Sequence, residues 1–330
     1  KLDCFMTKKA HSPTFKDVLR AQHDLTGLVK KTPLMTSSIL AEKASVSRLW
    51  FKCENLQNTG SFKFRGATNA LCKLSKEGLL HAVATHSSGN HGSALASAAR
   101  AKGIPAHIVV PKNAPYIKKT AILSYGARVT ECAPTLAARE IALKKVVTSN
   151  KASAIHPYND AHVISGQGTV ATEILDEAPD ADVLLVPVGG GGLLSGCALA
   201  VKHINPKVLV VGVEPKGADD AARSFKAGEI IPQESPNTIA DGLLTSLGEL
   251  NFPLIQTYVD DIVTVDDQTI LDAMYLIWTR MKQLVEPSGA VTYAALLKGY
   301  KNFQGKKVVA VLSGGNVDPK FFLTPRQITS

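Results

Sequence analysis

VLLVPVGGGGLLSGCALAVKHI, residues 183–204, decides the fold class. An apolar, β-branched run ends in four glycines, Gly189 to Gly192, and a helix-like stretch begins at Leu193. The stretch from Val183 to Val201 carries no charge and is long enough to cross a bilayer. Pro187 and the glycines break it, so it reads as buried strand, loop and helix. Glycines let backbone N–H groups approach an anion closely, and a helix N-terminus adds a favourable dipole. The segment is therefore a candidate phosphate cradle, although it is neither GxGxxG nor a Walker motif. A tight strand–helix turn is the plainer alternative, but four successive glycines exceed what a turn needs.

The same pattern extends in both directions. Short apolar runs at Leu49–Cys53, Ala82–Thr85, His107–Val110, Arg128–Cys132, Val208–Val213, Ile262–Val265 and Val308–Leu312 read as strands. Helical patterns lie between most of them, at Gly92–Lys102, Thr135–Ser149, Val163–Glu177 and Gln268–Leu284. Such alternation predicts parallel sheets covered on both faces. The strands are too many for one mononucleotide-binding unit, which predicts two α/β layers. Ala227–Asn251 is rich in Pro, Gly and Ser, an irregular length of the kind that often serves function.

Three further motifs carry polar chemistry. Ser87-Ser88-Gly89-Asn90-His91-Gly92 offers small donors at a helix start, suited to a carboxylate, or simply a cap. Gly60-Ser61-Phe62-Lys63-Phe64-Arg65-Gly66 sets a lysine between aromatics; burial would lower its pKa and make it a usable nucleophile and base. A solvated surface lysine is the ordinary alternative. Ser313-Gly314-Gly315-Asn316 follows the last strand, at the carboxyl end where open α/β sheets bind ligands. A reactive lysine, a phosphate cradle and polar strand-end loops together match the needs of a phosphorylated aldehyde cofactor.

With these motifs the chain resembles the fold-type II pyridoxal-phosphate enzymes of the serine racemase and serine/threonine dehydratase group. The resemblance runs from about Phe15 to Asp318 through TPLMTSSIL, FKCENLQNTGSFKFRGA, SSGNHG, ISGQGT, PVGGGG, EPKGADDA, EPSGA and LSGGN. It implies an α/β fold of two domains, three-layer open twisted sheets of the tryptophan synthase β kind. Residues 1–81 and 153–330 would form the large cofactor-binding domain and 82–152 the small closing one. It implies that Lys63 bears the cofactor as a Schiff base, that Phe62 flanks it and that Asn90 bonds its phenolic oxygen. Gly189, Gly190, Gly191, Gly192 and the Leu193 amide would hold the phosphate, and Ser313 would face the pyridine nitrogen. Ser87, Ser88, Asn90 and His91 would surround the substrate carboxylate, with Arg139 near. A neutral Ser313 makes the ring a weaker electron sink, which suits elimination and racemisation. Lys63 would take the α-proton from one face and Ser88 would serve the other.

The resemblance also implies a divalent cation, Mg²⁺ or Ca²⁺, at Glu214, the Ala218 carbonyl and Asp220; alone, that turn reads as a solvated acidic loop. Phe64 and the SSGNH loop separate the chain from the cysteine-forming relatives. No regulatory domain is expected after the core, and with it no feedback control by isoleucine. Ser37, Ser38, Ile39, Tyr125 and Asn316 match the region where animal racemases take ATP as an effector, but Asn58 replaces a lysine there. Tyr158 stands where those racemases have Asn and dehydratases often have an aromatic. The expected activity is pyridoxal-phosphate-dependent dehydration of L-serine and L-threonine to 2-oxo acid and ammonia, with serine racemase activity beside it. The alternatives are a racemase whose elimination is secondary and, from another class, a basic binding protein on a degenerate scaffold. The presence of both Lys63 and Ser88 speaks against the last. The resemblance also suggests a homodimer.

Composition agrees with a cytoplasmic enzyme. The chain has 330 residues with 45% apolar and 20% charged, an ordinary globular balance. Its net charge of +9 is spread in pairs such as Lys118-Lys119, without interleaved aromatics, so nucleic acid is not an expected partner. A membrane is not expected either, and the Lys1 end shows no secretory pattern. Five widely spaced cysteines, Cys4, Cys53, Cys72, Cys132 and Cys197, form no CxxC pair and point to a reducing compartment.

Overall fold

Residues along each central strand alternate between two separate cores, and that alternation builds the layers. Val183 and Leu185 face one apolar cluster, Leu184 and Val186 the other. Val308, Ala310 and Leu312 likewise oppose Val309 and Val311. A strand buried on both faces needs helices above and below, and the sequence supplies them. The computed structural model describes residues 12–318; Cys4 and the Lys1 end lie outside them.

In chain order the elements are α1 (Phe15–Asp24), β1 (Leu34–Thr36), α2 (Ser38–Lys43), β2 (Arg48–Cys53), α3 (Lys63–Lys76), β3 (Val83–His86), α4 (Asn90–Ala101), β4 (Ala106–Pro111), α5 (Tyr116–Ser124), β5 (Arg128–Cys132) and α6 (Leu136–Asn150). There follow β6 (Ser153–Ala154), α7 (Ala161–Glu177), β7 (Val183–Pro187), α8 (Gly192–Ile204), β8 (Leu209–Pro215), α9 (Asp220–Ala227), α10 (Asn251–Tyr258), β9 (Asp261–Val265), α11 (Asp267–Leu276), α12 (Pro287–Leu297) and β10 (Lys307–Leu312). Six strands form one sheet in the order β1-β2-β10-β7-β8-β9, parallel except for β1. Four form a second, all-parallel sheet in the order β5-β4-β3-β6. This is the mixed α/β architecture of two sheets that the alternation predicted.

All eight expected strands are present, with no end shifted by more than two residues. β1 and β6 were not expected: three and two residues are too few to show a period. The helix expected over Gln268–Leu284 ends at Leu276, and a π-turn over Ile277–Met281 closes it. The uncharged stretch after Val183 divides into β7, a loop and α8, and no helix among the described residues is long and apolar enough to cross a membrane.

Glycines bring α3, α7 and α8 into near contact. A Cβ at Gly166 of α7 would lie 2.8 Å from Gly66 Cα of α3, and one at Gly196 of α8 would lie 2.4 Å from Ile164 O. α7 is thus pressed between the helix carrying Lys63 and the helix that follows the glycine loop. Cys53, Cys72, Cys132 and Cys197 are free and buried.

Candidate active site

The strand-end motifs meet in one cavity. Phe62, Lys63, the Ser87–His91 loop, Gly189 to Leu193 and Ser313 line it, as does Arg139 on α6. Most of these groups sit at the carboxyl end of a parallel strand or on the helix that follows, as ligand sites in open α/β sheets do.

Lys63 opens α3 at the cavity floor. Before it the chain passes through Thr59 at φ 60° and Gly60 at φ 74°. The turn is laced to the last strand: Phe62 N donates to Ser313 O at 3.1 Å and Gly315 N to Gly60 O at 2.9 Å. Lys63 Nζ donates to Pro157 O at 2.8 Å and lies 5.1 Å from the Phe62 ring centre. Burial lowers its pKa to about 8, so near neutral pH a usable fraction is free amine.

The glycine loop is shaped by Tyr158. A Cβ on Gly190 would fall 2.3 Å from the Tyr158 ring, and Gly191 has φ 93°. Side chains are excluded there, and Gly189 to Leu193, where α8 begins, line the cavity. The first-turn amides have no intrahelical acceptor, and the dipole favours an anion beside them. Asn251 Nδ2 holds the loop from behind through Gly190 O at 2.8 Å.

Ser87 Oγ accepts from Gly89 N at 3.2 Å and Gly92 N at 3.0 Å, so this hydroxyl shapes the loop and caps α4. Ser88 is half-buried and faces the cavity. His91 is buried, with Nε2 3.3 Å from Ile155 O and Nδ1 unpartnered; burial and then Lys63 hold its pKa well below the usual value. Burial and the neighbouring His86 and Lys63 bring His156 down to about 3. These imidazoles are neutral at pH 7. Ser313 Oγ donates to Ser288 O at 3.3 Å and is buried.

A family profile described as "Pyridoxal-phosphate dependent enzyme" matches residues 25–314 of the chain. The chain belongs to that family. It is 47% identical over 309 residues to serine racemase of Dictyostelium discoideum, spanning 92% of this chain and 95% of that protein. It is 44% identical over 306 residues to beta-hydroxyaspartate dehydratase of Paracoccus denitrificans, spanning 93% and 97%. Among solved structures, maize serine racemase matches with a TM-score of 0.91 at 43% identity, covering 95% of this chain and 96% of that one. The threonine deaminase of T.th. matches at 0.88 and 41%, covering 93% and 99%. The fold is that of the fold-type II pyridoxal-phosphate enzymes, and the chain is a pyridoxal-phosphate-dependent enzyme of the racemase and dehydratase type.

In this pyridoxal-phosphate enzyme the cavity also holds groups that motif reading gave no role. Glu286, ahead of α12, is buried and accepts from Asn90 Nδ2 at 2.5 Å and from Lys118 Nζ at 3.1 Å. Burial raises its pKa, and Lys118 opposes that rise. Burial disfavours the charge on Lys118, yet Glu286 and Asp241 outweigh it and hold this cation protonated above the usual range. Asn90 Oδ1 also accepts from Asn316 Nδ2 at 2.9 Å. EPSGA marked the position of Glu286, but its partners lie 168 and 196 residues away, beyond any local pattern.

Glu214 and Asp220 lie apart from the cavity floor. Glu214 accepts from Ala221 N at 3.2 Å and Ala222 N at 2.7 Å, at the start of α9. Burial pushes Glu214 up to about 9 and Asp220 up to about 6. Asp220 Oδ2 accepts from Leu247 N at 3.1 Å, and its buried Oδ1 has no partner. Among the described residues no cluster of three or more His, Cys, Asp or Glu side chains could hold a metal, so a cation here would need the Ala218 carbonyl as well.

Proposed function

We propose that the enzyme removes ammonia from L-serine and L-threonine to give 2-oxo acids, and that it interconverts L- and D-serine with the same groups. The observation that carries this reading is a lysine amine and a serine hydroxyl on different elements facing one cavity, Lys63 on α3 and Ser88 ahead of α4. The residues fit the cofactor: a low-pKa lysine, a glycine loop that admits no side chain, and a neutral hydroxyl, Ser313, at the third strand end. Gly189 to Gly192 and the Leu193 amide would hold its phosphate. Phe62, Asn90 and Ser313 would border its ring, and Lys63 would bond its aldehyde carbon. Pyridoxal phosphate, when bound, draws electrons from the substrate's α-carbon and makes the α-proton removable.

With the cofactor bound, Lys63 Nζ would take that proton, because a free amine near neutral pH is a competent base. Ser87, Ser88, Asn90 and the neutral His91 orient the substrate carboxylate at the start of α4. Ser88 supplies or removes a proton on the side away from Lys63. Elimination needs Lys63 alone; racemisation needs both.

Arg139 favours a second substrate class. It lines the cavity, and its buried Nε has no hydrogen-bond partner. A β-hydroxy amino acid with a second carboxylate, 3-hydroxyaspartate, would meet that guanidinium. The Paracoccus relative carries the name of that reaction. Incubation with L-serine, D-serine, L-threonine and 3-hydroxyaspartate, with pyruvate, 2-oxobutyrate, oxaloacetate and both serine enantiomers quantified, tests the whole reading. No 2-oxo acid and no enantiomer exchange from any of them would overturn it, and borohydride-fixed cofactor on Lys63 tells a silent enzyme from a binding protein.

We further infer a Mg²⁺ or Ca²⁺ ion at Glu214, the Ala218 carbonyl and Asp220. Two buried carboxylates, one with an orphaned oxygen, support it. Residues 82–152 act as a small closing unit, a reading supported by the separate four-stranded sheet. A homodimer is supported by exposed apolar side chains at Leu28, Ile39, Leu56 and Leu284, and sedimentation decides it. ATP as an effector would use Ser37, Ser38, Ile39, Tyr125 and Asn316, and a nucleotide titration decides that. A cytoplasmic setting is supported by the unpaired cysteines.

A further inference from the structure

Lys118 stands on α5, which belongs with the four-stranded sheet, and its side chain is buried beside the cavity. Its stem lies on Gly89, where an added Cβ would come within 2.5 Å of Lys118 Cδ. Its Nζ donates to Asp241 Oδ2 at 2.6 Å and to Glu286 Oε2 at 3.1 Å. Both acceptors lie in the other half of the chain, Asp241 in the turn Asp241–Leu243 and Glu286 at the start of α12. Among the described residues, the ion pairs that join residues 83–154 to the rest all run through Lys118. The other oxygen of Glu286 accepts from Asn90 Nδ2, so one carboxylate answers both α5 and the mouth of α4.

We propose that Lys118 is a positioning residue, a latch that holds the Ser87–His91 loop over the cavity by tying α5 to Asp241 and Glu286. It touches no reacting atom and acts through Gly89 and Asn90. Substrate enters when the pairs part, and closure remakes them. Without the cation two carboxylates, one deeply buried, lose their counter-charge, which favours the parted arrangement. A site competent in only a fraction of molecules binds substrate more weakly by that fraction, while turnover at saturation changes little. The inference rests on reading the cavity as an amino-acid site, but its first test does not require turnover.

In the holoenzyme without substrate, Lys118→Met should speed backbone amide exchange across residues 87–92 and 116–124 and leave 183–204 unchanged. For a substrate that the parent turns over, KM should rise about tenfold with kcat held within about twofold. In an Asp241→Asn, Glu286→Gln background the latch is already gone, so Lys118→Met should add nothing further. Unchanged exchange at 116–124 would overturn the proposal. So would an equal KM factor in both backgrounds, or a fall in kcat at constant KM, which is the mark of a merely structural role. Should Lys118→Met fail to fold, Asp241→Asn opens the same pair from the other side and is read by the same exchange. Faster exchange in a protein that turns over no amino acid would keep the latch and refute the activity instead.

Discussion

A primary amine held away from water gives up its proton early, and Lys63 is such an amine. Its pKa of about 8 predicts how the cofactor-free protein meets pyridoxal phosphate: bond formation should quicken as pH rises towards about 8 and level off above it. The growth of the near-violet absorbance band measures this. A rate still climbing towards pH 10, as for solvated lysines with pKa near 10.4, would refute the buried amine. Ser88 offers a sharper separation. Ser88→Ala should cut exchange between L- and D-serine by roughly 10²–10⁴-fold while L-serine elimination survives. D-serine elimination should fall with it, because that enantiomer turns its α-proton to the other side. Chiral chromatography beside a pyruvate assay reads both. An equal fall in the two reactions of L-serine would leave Ser88 a binding residue only.

At the level of elements, α3 keeps Lys63 in place through a buried charge network. Arg65, two residues on, pairs with Glu54 at 2.8 Å and with Glu173 at 2.6 Å, and Lys52 reaches Glu173 at 2.6 Å. Arg65, Glu54 and Lys52 have no exposed surface. Replacing both partners with apolar groups costs little in such settings, but removing one leaves a stranded charge. Arg65→Met should therefore lower stability by about 3–5 kcal/mol, read as a shift in the urea midpoint. An unmoved midpoint would mean the carboxylates find water or protons at no cost. This network also marks the limit of what the sequence discloses. Eight strands and the glycine- and serine-rich loops at Ser87, Gly189 and Ser313 were legible because each is a local pattern, an apolar run closed by glycine or serine. The partners of Arg65 and Glu286 were not, because only the fold brings Glu173 to Arg65 or Lys118 to Glu286. The two-residue β6 exists through its pairing with β3 and has no pattern of its own.

For the whole molecule, the Glu214 turn couples stability to pH, and the proposed ion would couple it to Mg²⁺ or Ca²⁺ as well. Without a cation the folded chain keeps the Glu214 proton up to about 9, against an ordinary 4.5 in the unfolded chain. The folded state thus binds more protons between those values, and stability falls as pH rises through them. The contribution is complete below 4.5 and gone above about 9. Chelator-treated protein should melt at progressively lower temperature from about pH 5 to 9, and Mg²⁺ or Ca²⁺ should flatten that slope. Glu214→Gln should flatten it without any cation. A slope indifferent to both would remove the turn from consideration as a cation site.

The four buried thiols turn the fold into its own reporter. Cys132 lies in the core of the four-stranded sheet, Cys53 and Cys197 on opposite faces of the six-stranded one, and Cys72 on α3. Burial shields all four, and it pushes Cys53 up to about 12, so a thiol-specific dye reaches these positions only where the chain opens. The order in which tryptic peptides acquire the label then gives the sequence in which the two sheets come apart, from a chain with no engineered probe.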